Sequence, residues 1–89
     1  ESRGRVYLGN ILLKKEEHNG ALTNYLSAQK LNISDDKEIL YQIYIGIIKL
    51  SNETNNEILK NEYIQDAKML MKEDEFKGYL FEELQVLIS

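Results

Sequence analysis

Apolar residues recur every three or four positions along the whole chain, which is the spacing of amphipathic α-helices. The pattern predicts helices at roughly residues 2–15, 20–32 and 55–73, another that begins near residue 36, and a last one over 79–89. No segment shows the sustained apolar–polar alternation of a half-buried strand. We therefore expect an all-α fold of about five helices.

Short polar residues mark the predicted helix ends. Asn19 is the expected N-cap of the second helix, and Asp35 that of the third, where Glu38 would complete a capping box. The polar stretch SNETNNE, residues 51–57, ends the third helix, because its side chains compete for backbone hydrogen bonds.

The chain contains an internal repeat, since RVYLGNILLK at 5–14 resembles QIYIGIIKLS at 42–51, and Tyr7 and Tyr44 are 37 residues apart. A period of this length corresponds to one helical hairpin and predicts stacked hairpins in units of approximately 2–35, 36–75 and a partial 76–89. The competing interpretation is chance similarity within an Ile- and Lys-rich composition.

Each repeated segment carries a glycine inside a predicted helix, Gly9 and Gly46. An interior glycine costs about 1 kcal/mol relative to alanine, so local propensity disfavours it. A missing side chain allows a neighbouring helix to approach closely. We expect the second helix of each hairpin to cross the first at Gly9 and Gly46.

The first unit resembles the tetratricopeptide repeat (TPR) family. The residues that carry the resemblance stand at the family's spacings: Leu8-Gly9, Leu12, Ala21, Tyr25 and Ala28. Arg5 replaces an aromatic residue, Glu16 stands where a turn glycine is common, and the second unit is degenerate. The resemblance implies antiparallel helical hairpins stacked as a short right-handed solenoid that binds a protein or peptide.

In such a solenoid the first helix of each unit lines the concave face. The resemblance therefore implies that the peptide-binding residues are Arg3, Val6, Asn10, Leu13 and Lys14 in unit one and Leu40, Ile43, Ile47 and Leu50 in unit two. Asn10 is a candidate because an amide can both donate to and accept from a peptide backbone. A surface asparagine without a ligand is the competing interpretation. Val6 stands where a carboxylate clamp requires a lysine, so an apolar groove suits a hydrophobic peptide better.

Composition and charge exclude several function classes. The net charge is −4 with both signs interspersed, which disfavours binding to nucleic acid or to an anionic membrane. Cysteine is absent, so thiol catalysis and thiolate metal sites are excluded. His18 is the one histidine and lacks companions at metal-ligand spacing. Asp35 and Asp36 are explained by helix capping, and we expect a non-enzymatic protein without cofactors or metals.

Two functional hypotheses remain open. The first is a peptide- or protein-binding module within a larger, cytoplasmic bacterial regulator that resembles peptide-pheromone receptors. The second is a structural oligomerisation or scaffold domain, with a homodimer formed through the apolar C-terminal residues Leu80, Phe81, Leu84, Leu87 and Ile88. The chain begins with Glu1 rather than Met and ends in an apolar run, so we expect a fragment of a longer protein.

Overall fold

The computed structural model describes all residues, 1–89, and contains five α-helices and no strand. The helices are α1 (Ser2–Lys14), α2 (His18–Leu31), α3 (Lys37–Thr54), α4 (Glu57–Glu73) and α5 (Tyr79–Ile88). This result confirms the all-α class and the number of helices that the apolar spacing predicts. The numbered boundaries lie within two residues of the observed ones, but α3 continues to Thr54, four residues into the polar stretch that was expected to end it.

Asp36, rather than Asp35, caps α3. Asp36 Oδ1 accepts hydrogen bonds from the backbone N–H groups of Glu38 at 3.0 Å and Ile39 at 3.4 Å. Asp35 instead adopts a left-handed conformation with φ 52° in the preceding turn. The predicted cap is therefore wrong by one residue, and Glu38 does not occupy the capping-box position.

The turn between α1 and α2 is shorter than the sequence predicts. The Glu16 N–H donates to the Leu13 carbonyl at 3.0 Å, and the Glu17 N–H donates to the Leu12 carbonyl at 2.9 Å. This pair of bonds forms a Schellman motif, in which Glu16 takes the left-handed position with φ 61°. Glu17 is then the N-cap of α2, so the prediction of Asn19 as the cap is wrong.

The five helices form one core around α3, which packs against each of the other four. Helices α1 and α5 lie on either side of it, while α2 contacts both α1 and α3, and α4 contacts both α3 and α5. A helix surrounded in this way must be apolar in nearly every direction, and ten of its residues are buried. The Cα radius of gyration is 12.1 Å. That value is typical of a compact domain of this length.

The two helical glycines meet the same side chain, the ring of Tyr25 from α2. A Cβ atom at Gly9 would lie 2.9 Å from Tyr25 Cε1, and one at Gly46 would lie 2.2 Å from Tyr25 Cζ. The expected crossing is confirmed at Gly9, where Tyr25 belongs to the second helix of the same hairpin. At Gly46 a close approach exists, but the predicted partner is wrong: the side chain comes from α2 of the preceding hairpin and not from α4, because the Tyr25 ring occupies the space between α1 and α3.

Four tyrosines are buried in the core: Tyr25, Tyr41, Tyr44 and Tyr63. Tyr44 packs edge-on against Tyr63 of α4 with ring centroids 5.8 Å apart. Tyr7, its counterpart in the repeat, is 70% exposed, so the two equivalent positions have different environments.

Candidate functional site

A groove runs along the surface formed by α1, α3 and α5. It consists of two adjoining cavities of about 430 Å³ and 270 Å³ that share Asn10 and Gln42. The larger cavity is lined by Asn10, Leu13, Lys14, Tyr25, Gln42, Ile45, Gly46, Lys49, Tyr79, Leu80 and Glu83. The smaller one is lined by Arg3, Val6, Tyr7, Asn10, Ile39 and Gln42. Since α3 lies between the other two helices, α1 and α5 form the walls of the groove.

The residues predicted on α1 all line this groove. Asn10, Leu13 and Lys14 line the larger cavity, while Arg3 and Val6 line the smaller one. Val6 is only 3% exposed and contributes to the base of the groove rather than to its rim. The structure therefore brings together all five residues of the first unit that the resemblance assigned to ligand binding.

The residues predicted on α3 do not line the groove. Ile43 and Ile47 are completely buried, Leu50 is 3% exposed, and Leu40 is partly buried against the core. These side chains pack against the surrounding helices, so the predicted face of α3 is wrong. The open face is one residue away and comprises Gln42, Ile45, Gly46 and Lys49.

Sequence reasoning also missed the third helix of the groove, α5, which contributes Tyr79, Leu80 and Glu83. On α3, a signal was present, because Gln42 and Lys49 are polar residues in a helix that is otherwise mostly apolar. On α5, periodicity alone could not distinguish a groove wall from an oligomer contact.

The side chain of Asn10 has a fixed orientation. The Tyr25 hydroxyl donates a hydrogen bond of 2.6 Å to Asn10 Oδ1. Burial, together with the negative charge of Glu53, raises the pKa of Tyr25 to about 12, so this hydroxyl keeps its proton at neutral pH. This bond uses one of the two lone pairs of the Asn10 amide oxygen and orients the amide, while Nδ2 makes no hydrogen bond within the chain. Asn10 therefore presents its Nδ2 group to a ligand as a free donor.

The charged side chains of the groove are mostly paired. Lys49 Nζ lies 3.4 Å from Glu83 Oε2, which connects α3 to α5. Arg3 lies 3.5 Å from Asp36 and 3.7 Å from Glu38. Such exposed pairs are worth at most about 1 kcal/mol and exchange readily with a ligand. Lys14 has no acidic partner and is the unpaired cation of the groove.

Outside the groove, two polar contacts connect distant parts of the chain. His18 Nε2 lies 2.8 Å from Glu53 Oε1 and joins the start of α2 to the end of α3. The Tyr41 hydroxyl donates to Asp74 Oδ2 at 2.5 Å, and burial, this hydrogen bond and the carboxylate charge all raise the pKa of Tyr41.

No group of three or more His, Cys, Asp or Glu side chains is placed to hold a metal ion. None of the helices combines the length and the apolar character that crossing a membrane requires.

Comparison of the chain with models of known families, with curated proteins and with solved structures yields no match. The residues and distances of the groove therefore carry the functional argument that follows.

Proposed function

We propose that the chain is a non-enzymatic, TPR-like module that binds an extended peptide, or a peptide segment of a protein, between α1, α3 and α5. The order of helix packing supports a TPR-like solenoid. The first helices of successive units, α1, α3 and α5, lie side by side, and each intervening helix contacts the first helix before and after it. Stacked helical hairpins pack in this succession.

The observation that carries the proposal is the amide of Asn10. Its oxygen is held by Tyr25, so the Nδ2 group remains available on the wall of an open groove. A backbone carbonyl of an extended peptide is the matching acceptor. Lys14 lies one turn further along α1, and Leu13 and Leu80 provide apolar surface beside it. Together they suit a largely apolar peptide that also carries an acceptor or acidic group.

Ligand binding can act on the fold through Tyr25. This side chain contacts the backbone of both α1 and α3 at the two glycines and also holds Asn10. A ligand that binds Asn10 more tightly at one spacing of α1 and α3 would shift the population toward that spacing. The proposal extends to a larger, cytoplasmic bacterial regulator on the strength of the sequence resemblance.

The test begins with selection of binders from a displayed random heptapeptide library on the immobilised chain. Calorimetry then measures Kd of a selected peptide for the unaltered chain and for Asn10→Ala. Loss of one hydrogen bond, worth about 1.4 kcal/mol, should weaken binding about tenfold. The matched control is Asn61→Ala, since Asn61 is an exposed asparagine on α4, outside the groove.

Two results would contradict the proposal. The first is a library that yields no peptide binder. The second is a selected peptide whose Kd is the same for Asn10→Ala, Asn61→Ala and the unaltered chain, because the peptide then binds elsewhere.

The second candidate function is a structural oligomerisation domain that takes no peptide. It is favoured by one observation, the large apolar side chains on the outer face of α5, where Tyr79 is 73% and Val86 is 78% exposed. The residues predicted for a homodimer are not on this face, because Phe81 and Leu84 are buried in the core of the chain and the other three pack partly against it. Exposed apolar groups of this size indicate a contact surface when they share one helix face.

A further inference from the structure

The first and the last helix carry opposite charges. All charged side chains of α1 are basic, namely Arg3, Arg5 and Lys14, and all charged side chains of α5 are acidic, namely Glu82 and Glu83. Helix α1 packs against α2 and α3, and α5 packs against α3 and α4. The side of each helix that faces away from these neighbours is open, as the exposed Tyr7 on α1 and Tyr79 and Val86 on α5 show. The two ends of the helix row are therefore electrostatically complementary.

The outer face of α1 is apolar between its basic residues. Tyr7 is 70% exposed and Leu8 is 41% exposed, whereas Val6 and Gly9 are buried on the opposite side of the helix. At 3.6 residues per turn, Arg3 and Lys14 lie next to Tyr7 on one side of this apolar face. Arg5 lies next to Leu8 on the other side. The result is an apolar stripe with a basic residue along each edge.

The outer face of α5 also has exposed apolar side chains flanked by charged ones, but its charged residues are acidic. Tyr79 and Val86 are seven residues apart, which places them on one face two turns apart. Glu82 and Glu83 lie between them, one on each side of the line that joins them. Phe81 and Leu84 are buried on the inner side.

We propose that α5 of one copy of this chain packs against α1 of the next copy, in a head-to-tail contact. Tyr79 and Val86 would meet Tyr7 and Leu8. Glu82 would face Lys14, since neither of these two charged side chains has a partner within the chain, whereas Glu83, Arg3 and Arg5 already contact other residues. A two-fold contact of α5 with α5 would place four glutamates together, and one of α1 with α1 would place only bases together. Charge complementarity therefore favours the contact of α5 with α1 over either two-fold contact. Repetition of such a contact between different surfaces forms a ring or an open filament.

This contact would continue the existing row of helices. Within one copy the order is α1, α3, α5, and the α1 of a second copy would take the next place beside α5. The groove would then extend from one copy to the next. The contact needs no bound peptide, although Tyr7 and Tyr79 lie at the edges of the groove as well as on the outer faces of α1 and α5.

Sedimentation velocity of the 89-residue chain over a concentration series tests the contact. We expect a weight-average mass that rises above the monomer value of 10.4 kDa with concentration at about 20 mM salt. At about 0.5 M salt, where exposed charges are screened, the mass should return toward the monomer value. A chain that remains monomeric at low salt and millimolar concentration would overturn the proposal.

Charge variants test the arrangement. Tyr7→Glu adds an acid to the stripe on α1, and Glu82→Lys adds a base to that on α5, so each variant alone should be monomeric. A mixture of the two should associate again, into oligomers in which the variants alternate. In these oligomers α5 of Glu82→Lys faces α1 of Tyr7→Glu, and the unaltered α5 of the latter faces the unaltered α1 of the former. Glu62→Lys, the same charge change at an exposed site on α4, should associate like the unaltered chain.

The outcomes separate the alternatives. Stronger association of Glu82→Lys alone would indicate a two-fold contact of α5 with α5, and unchanged association of Tyr7→Glu would exclude α1. Either result overturns the head-to-tail contact. Circular dichroism checks that each variant is folded. If a charge variant does not fold, the uncharged variants Tyr7→Ser and Val86→Ser replace it, since they should also weaken association.

Discussion

Replacing Gly46 by alanine tests how the two hairpins are joined. A Cβ atom at this position would lie 2.2 Å from Tyr25 Cζ and 2.5 Å from its hydroxyl oxygen, whereas ordinary contacts begin near 3.4 Å. The ring must therefore move by more than about 1 Å, or α3 must move away from α2. The ring has no room to retreat, because Tyr25 is fully buried, packs against Gly9 and is held by Asn10.

Three contributions set the expected magnitude. Overpacking of a well-packed core costs about 1–3 kcal/mol. Loss of the hydrogen bond between Tyr25 and Asn10 adds about 1 kcal/mol. Against these, alanine gains about 1 kcal/mol over glycine in a helix interior. We expect the free energy of unfolding of Gly46→Ala to fall by about 2 kcal/mol.

Urea denaturation followed by circular dichroism measures this change, with two glycines of α1 for comparison. Gly4→Ala is the matched control, since its Cβ would have nothing within 4 Å and should stabilise the chain by a few tenths of a kcal/mol. Gly9→Ala should fall between the two, because its closest contact would be 2.9 Å. If Gly46→Ala is as stable as Gly4→Ala, the tyrosine does not hold the hairpins together as described.

Two further predictions concern the ionisation of Tyr25 and the turn at Glu16. The pKa of Tyr25 is raised from 10.0 to about 12, so its contribution to stability is complete below pH 10 and is lost as pH rises toward 12. Urea denaturation measures the unfolding free energy of the unaltered chain and of Tyr25→Phe across that pH range. The unaltered chain should lose about 1.4 kcal/mol per pH unit relative to the variant. If the unfolding free energies of the two chains change in parallel with pH, the hydroxyl is not buried as described. Glu16→Gly should stabilise the chain by about 1 kcal/mol, because glycine adopts the left-handed conformation without strain. Thermal denaturation checks this, and a lower Tm than that of the unaltered chain would contradict the Schellman turn.

The groove shows where sequence reasoning succeeded and where it failed. On α1, the five residues from Arg3 to Lys14 that line the groove are those at the ligand-facing spacings of the family resemblance. On α3, nearly every direction is apolar, and periodicity could not decide between Ile43 and Gln42 as the open side. Packing decided it, since other helices cover Ile43 completely and leave Gln42 half-buried at the groove.

The orientation of Asn10 was also beyond the sequence. Its amide could accept or donate until the structure placed the Tyr25 hydroxyl, fifteen residues away, against its oxygen. This hydrogen bond orients the amide, so that its nitrogen has no partner within the chain and can donate to a ligand.

The sequence by itself determined the five helices, because helix formation depends on local spacing, caps and the absence of proline. It also determined that Gly9 and Gly46 mark close approaches, because an interior glycine is unfavourable without such a contact. Only the tertiary structure decided that both glycines meet one tyrosine, that Tyr7 is exposed and that α5 completes the groove. Periodicity describes the faces of a single helix, whereas the partner that covers each face depends on how helices distant in sequence pack together.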